Sequence, residues 1–152
     1  AATFEIQGLS LSTLYNNLEK LNAKSTTVIL EACFTGASPN GFLIKNASPL
    51  FNPEYPDLLT GRNLTVYAAS QDNQLASWLP DKSNGLFTHY FLKAMRGEAD
   101  QQYVGNNDGK VSNAEIREYL HHTMSYEAKR HYGRTQVAMI PNEPASWTTE
   151  TE

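Results

Sequence analysis

The chain carries a single thiol, Cys33, set among residue types that nucleophilic chemistry uses. It stands in Glu31-Ala32-Cys33-Phe34-Thr35-Gly36, directly after the apolar run Thr26-Thr27-Val28-Ile29-Leu30. A short β-branched run bounded by polar residues reads as a buried strand. Open α/β sheets place their chemistry at the carboxyl ends of such strands. A thiol at that point, with Gly36 permitting a tight turn, is a candidate nucleophile. The same cysteine also suits a buried structural position, since free Cys is among the most buried residue types.

Several cysteine and serine nucleophile patterns do not fit. A hydrolase elbow needs Gly two residues before and two after the nucleophile, where this chain has Glu31 and Thr35. A phosphatase loop needs an Arg six residues on, where Pro39 stands, and the papain-type surround is absent.

The elements that must position this stretch follow from periodicity. Leu11, Leu14, Tyr15, Leu18 and Leu21 recur at helical spacing, which predicts an amphipathic helix over 11–22 leading into a strand over 26–31. Helix into buried strand is half of a βαβ unit and predicts a parallel sheet. The period is lost over 37–63, a stretch holding four prolines and two glycines. So long a loop in a compact domain is usually functional or mobile, as a lid or processing loop, with a roleless surface insertion as the alternative. Leu64 to Ala69 reads as a second buried strand, followed by Ser70-Gln71-Asp72-Asn73-Gln74. Asp72 is there either a specificity carboxylate or a turn aspartate. Leu86, Phe87, Tyr90, Phe91, Ala94 and Met95 share one face of a helix over 84–96 that Gly97 ends. The tail from Tyr132 to Glu152 reads as irregular.

Asn106-Asn107-Asp108-Gly109-Lys110-Val111-Ser112 invites a calcium test. Counted back from Glu115, Asn106, Asp108, Gly109 and Ser112 fall at acceptable positions of an EF-hand loop, but the first position is Val104, which cannot ligate. A turn followed by the capping box Ser112-Asn113-Ala114-Glu115 accounts for the same residues without a metal, so no cofactor is expected, with a calcium-responsive switch around Asp108 as the weaker alternative. His121 and His122 are adjacent and cannot share a helical face as a zinc pair.

With 152 residues, 40% of them hydrophobic and 18% charged, the chain can bury one core. The net charge of −4 without a basic run gives no support for nucleic-acid binding, and no window is apolar for long enough to span a bilayer. One cysteine excludes an internal disulfide and suits a reducing compartment, which leans the expected location towards the cytoplasm.

Val28-Ile29-Leu30-Glu31-Ala32-Cys33-Phe34-Thr35-Gly36 resembles the nucleophile strand of the caspase-like cysteine peptidases, the superfamily of metacaspases, bacterial orthocaspases and legumains. Val66 to Gln74 is similar to the following strand and specificity loop, and Gly85 to Gly97 to the next helix. Asp108-Gly109-Lys110-Val111-Ser112 with Glu115, and Thr135-Gln136 before the final Pro, match bacterial members. The matches run from Leu9 to Pro141 in the family's order. The resemblance implies a three-layer α/β sandwich with a mainly parallel sheet flanked by helices. It also implies a Cys-His dyad whose histidine precedes the cysteine.

No histidine stands before Cys33. By resemblance, residues 1–152 are then an incomplete, C-terminal part of one peptidase domain. An N-terminal fragment of the same peptidase, split off by autoprocessing of a zymogen, would supply the histidine. Cys33 would attack peptide or protein substrates, and its backbone N–H would contribute to the oxyanion hole. Glu31 and Asp72 would line an S1 pocket for Arg or Lys, and Lys45 or Arg62 would be self-cleavage sites. The alternative is a non-catalytic caspase-like module with a regulatory or assembly role.

Overall fold

The computed structural model describes residues 11–31, 37–38, 41–42, 64–71, 74–101, 103–142 and 146–148. The chain is mixed α/β. Helix α1 (Leu11–Glu19) leads into strand β1 (Thr26–Leu30), and two-residue strands β2 (Ala37–Ser38) and β3 (Gly41–Phe42) follow. Next come β4 (Leu64–Ala68), α2 (Leu86–Met95), a 3-10 turn (Glu98–Asp100) and β5 (Lys110–Ser112). Helix α3 (Asn113–Leu120) runs through a π turn (His121–Ser125) into α4 (Tyr126–Tyr132), and β6 (Ser146–Thr148) comes last.

The centre of the molecule is the parallel pair β1–β4, in register from Thr26 opposite Leu64 to Leu30 opposite Ala68. Side chains alternate across a sheet, so each strand serves two layers. Leu64 and Val66 face one way and pack with Tyr15, Leu11 and Leu18 of α1, together with Val28 and Leu30. Tyr67 and Ala69 face the other way and join Leu86, Phe87 and Phe91 of α2 with Ile116, Leu120 and Met124 of the second helical run. Helices thus cover β4 on both sides. Tyr67 locks that second layer: its ring lies 5.3 Å from Phe91, and its hydroxyl donates to the buried Asn113 at the start of α3 at 2.8 Å.

β1 is covered on one side only. Ile29, in register with the fully buried Tyr67, is 51% exposed. Among the described residues β1 pairs with β4 alone.

Several element boundaries depart from those expected. α1 ends at Glu19 rather than 22, the last turn tightening through a Leu21 N–H to Leu18 carbonyl bond at 3.0 Å. Leu21, expected on the apolar face, is left exposed. α2 ends as expected, Gly97 adopting φ 102° in the left-handed region. The capping box at Ser112 and Glu115 is formed in both directions. The tail is more structured than its sequence suggests. Met139 bridges antiparallel to Ala68 on the side of β4 away from β1, and β6 pairs with β5. Isolated bridges of one to three residues carry no periodic signal, so only tertiary contact discloses them.

Two tyrosines yield tests of the core. Tyr15 is 1% exposed, and its hydroxyl has no hydrogen-bond partner among the described residues. Burying an unpaired hydroxyl is a cost, so Tyr15→Phe is expected to leave stability unchanged or raise it by about 1 kcal/mol, read from urea unfolding. Tyr119 donates its hydroxyl to Glu98, whose other oxygen lies 3.3 Å from Lys93. Burial, and then the hydrogen bond and charge of Glu98, push the Tyr119 phenol far above its ordinary value. The folded state therefore holds this proton more tightly than the unfolded one. The associated stability is complete below about pH 10 and drains as pH rises through the folded value. Urea midpoints measured on either side of pH 10 should fall more steeply in the wild type than in Tyr119→Phe.

Candidate active site

The parallel register sets the carboxyl ends of β1 and β4 side by side. The Ala69 N–H donates to the Leu30 carbonyl at 2.9 Å, carrying the ladder one step past the strands. Glu31 is the next residue. Its carboxylate does not point into open solvent but spans the start of α2, accepting the N–H of Phe87 at 3.1 Å on one oxygen and of Thr88 at 3.1 Å on the other.

That contact completes the helix terminus. The first four N–H groups of an α-helix have no partner within it. In α2 the Leu86 N–H donates to the Ser77 carbonyl at 2.8 Å, Glu31 takes the next two, and the His89 N–H makes the first intrahelical bond, to the Gly85 carbonyl at 3.1 Å. The N-cap residue, Gly85, makes no side-chain cap. An anion at this end is also favoured by the helix dipole. Gly85 leaves the space it needs, since a Cβ there would overlap the Glu31 carboxylate.

The segment after β4 is held from the opposite side by the chain leading out of α4. Gln136 is fully buried; its side-chain oxygen Oε1 accepts the Ser77 N–H at 2.8 Å, and its side-chain Nε2 donates to the Ala69 carbonyl at 3.0 Å. Gln74 answers in the other direction, accepting the Val137 N–H at 2.6 Å. Arg134 donates to the Ser77 hydroxyl at 3.2 Å and lies 4.9 Å above the Tyr132 ring. The Tyr132 hydroxyl donates to the Trp78 carbonyl at 2.6 Å. Trp78 in turn bridges to Gly85. Its indole, 40% exposed, is among the few large apolar groups left at the surface.

Of the residues singled out from sequence, Glu31 lies at this edge. Cys33, Asp72, Lys45 and Arg62 lie outside the described residues, as does most of the 37–63 stretch. What sequence reasoning missed is the frame: the capping of α2 by Glu31, and Gln136 as the tie between β4, Ser77 and the π turn. A glycine at an N-cap with no acid in the first turn hints that the acceptor comes from elsewhere. It does not say from where.

The Asn106–Glu115 turn closes on itself. Asp100, 6% exposed, accepts the N–H of Asp108 at 3.0 Å and of Gly109 at 2.9 Å. Asp108 accepts the Lys110 N–H at 2.9 Å. Glu115 takes the Asn106 N–H at 3.1 Å on one oxygen and the Ser112 N–H at 2.8 Å on the other. Val104, at the first loop position, packs against the core instead. His121 and His122 stack on each other, ring centroids 5.5 Å apart. Among the described residues no group of three or more His, Cys, Asp or Glu side chains could hold a metal ion, and no helix is long and apolar enough to cross a membrane.

No protein-family model, curated protein or solved structure matches the chain.

The buried amide of Gln136 makes a direct test of the frame. Gln136→Ala leaves the Ser77 N–H and the Ala69 carbonyl without partners inside the protein and opens a cavity. The expected cost is about 2–4 kcal/mol in urea unfolding, with faster hydrogen exchange at the Ser77 amide.

Proposed function

We propose that the chain is the nucleophile-bearing part of a caspase-like cysteine endopeptidase that cleaves after Arg or Lys. The observation that carries this is the state of β1. The strand that leads into Cys33 pairs in parallel with β4 on one edge and, among the described residues, has no neighbour on the other. Its Ile29 face is exposed where Tyr67 beside it is buried. Edge strands are normally blunted by charge, proline or a bulge, and Thr26-Thr27-Val28-Ile29-Leu30 has no charged residue and no proline. Such an edge calls for a further strand. A caspase-like domain places there the part of the sheet that carries its histidine, the residue this chain lacks before Cys33.

In this reading an N-terminal fragment of the same peptidase, left by autoprocessing, adds to β1 and brings the dyad histidine. Self-cleavage within 37–63, at Lys45 or Arg62, fits a zymogen of this kind. The histidine takes the Cys33 proton as the sulfur bonds to the scissile carbonyl carbon. The N–H of Cys33, with a second N–H beside the histidine, holds the oxyanion. As the C–N bond breaks, the leaving amine takes the proton back from the histidine, and water then releases the acyl group and restores the thiol. Asp72, in the segment after β4, supplies the carboxylate for a basic P1 side chain. No Arg or Lys lies between Ser70 and Pro80 to favour an acidic one.

The test is peptide hydrolysis by the full gene product. Substrates with Arg or Lys at P1 should be cleaved, and Cys33→Ala should lower kcat by about a thousand-fold or more. Activity persisting in Cys33→Ala would remove the nucleophile from this chain. Absence of cleavage together with absence of a His-Gly motif upstream would favour the non-catalytic module.

A further inference from the structure

We infer that Asn84 is a site of self-modification: the main-chain nitrogen of Gly85 closes on the Asn84 side chain, and the product loosens the turn ahead of α2. The inference stands apart from the peptidase reading. In an Asn-Gly pair the following nitrogen meets little obstruction, since glycine has no Cβ and the freest backbone. The sequence has two such pairs, Asn40-Gly41 and Asn84-Gly85, and Asn40 lies outside the described residues. Asn84 is exposed, and its side-chain amide has no hydrogen-bond partner among the described residues.

The turn leaves the attacking nitrogen free. Trp78 and Gly85 face each other in an antiparallel bridge. The bonds that close it belong to their neighbours: the Leu86 N–H on the Ser77 carbonyl at 2.8 Å, and the Leu79 N–H on the Asn84 main-chain carbonyl at 2.9 Å. In such a pair the two facing residues exchange no bonds. Gly85 also stands ahead of the first intrahelical donor, so its N–H has no acceptor among the described residues. The Leu79 bond helps in a second way. When the Gly85 nitrogen loses its proton, charge spreads onto the Asn84 main-chain oxygen, which the Leu79 N–H already holds. The carboxylates nearby are occupied: Glu31 takes Phe87 and Thr88, and Asp81 takes the N–H and hydroxyl of Ser83. Asp108-Gly109 is the counter-example in the same molecule. Its glycine N–H is tied to the buried Asp100 at 2.9 Å, and its own carboxylate accepts from Lys110 and Asn106.

The reaction needs only water. The Gly85 nitrogen bonds to Asn84 Cγ, the Cγ–Nδ2 bond breaks, and Nδ2 leaves as ammonia with the proton that the main-chain nitrogen gave up. Water then opens the cyclic imide at one carbonyl or the other, giving aspartate or isoaspartate. In isoaspartate the main chain runs through Cβ and Cγ and is one bond, about 1.5 Å, longer. The carbonyl that received the Leu79 N–H becomes part of a side-chain carboxylate. The added length lies between the two bonds that close the Trp78–Gly85 bridge, so the pair cannot both persist.

The experiment incubates the full gene product at neutral pH, folded and in urea, and follows Asn84 and Asp108 by peptide mapping and fragmentation mass spectrometry. Each site is compared with its own rate in the unfolded chain. Folding should slow conversion at Asn84 no more than about threefold, since no protecting bond has to open first, and at Asp108 about 100-fold or more. Asn84→Gln, whose ring closure would be six-membered, should stay intact there. Amide exchange at Leu79 and Leu86 should quicken in aged wild type that carries isoaspartate at 84, and stay slow in Asn84→Gln aged alongside it. Survival of Asn84 in the folded protein while the unfolded chain converts overturns the inference. So does equal slowing at Asn84 and Asp108, or unchanged exchange at Leu79 once isoaspartate has formed.

Discussion

A carboxylate on a helix terminus across a sheet edge is the contact on which the geometry at the carboxyl end of β1 depends. Glu31 takes two amide protons of α2 that nothing else among the described residues takes. Charge-assisted bonds of this kind are about twice as strong as neutral ones. The contact fixes three things at once: the exit of β1, the start of α2, and the turn that returns the chain from Trp78 to Gly85.

The same edge is braced from behind by buried polar groups rather than by apolar packing alone. Gln136 and Gln74 exchange side-chain and backbone bonds between the segment after β4 and the segment after α4. Buried amides satisfied in this way specify one arrangement of loops, since each alternative leaves a donor or acceptor unpaired in a low-dielectric interior. The π turn at His121–Ser125 belongs to this brace. Ser125 donates to the Gln136 carbonyl at 2.6 Å, and Met124 beneath it touches the Gln136 amide through its sulfur at 3.6 Å. A widened turn in mid-helix is costly and recurs where a helix must meet a non-helical partner.

Asymmetry of cover runs through the whole sheet. β4 has helices on both faces and Met139 along its far edge. β1 has α1 on one face, with Thr27 and Ile29 exposed on the other. A parallel strand is ordinarily buried on both sides, so the bare face of β1 is the exception in this pair of strands.

Sequence alone determined the elements whose signal is local and periodic. The strand at 26–30, the strand at 64–68, the helix at 86–95 and the Ser112–Glu115 cap all follow from side-chain period and capping chemistry. So did the nomination of Cys33, since a thiol after a strand followed by a small residue and Gly is a local pattern. Tertiary structure decided what the polar residues do. Glu31 stands where the family resemblance implies a pocket acid, and nothing near it in the chain reveals that its carboxylate meets helix amides 56 and 57 residues away. Asp100 carries no motif at all, yet its two oxygens hold the turn that invited a calcium reading. Gln136 enters the sequence reading only through the Thr135-Gln136 match in a tail that reads as irregular, and its part in the fold shows once it is found buried among Ala69, Ser77 and Met124. Hydrophobic period is written along the chain, because it repeats every two or every three to four residues. The partner of a buried polar group is not, because it is set by where the packed elements bring donors and acceptors together.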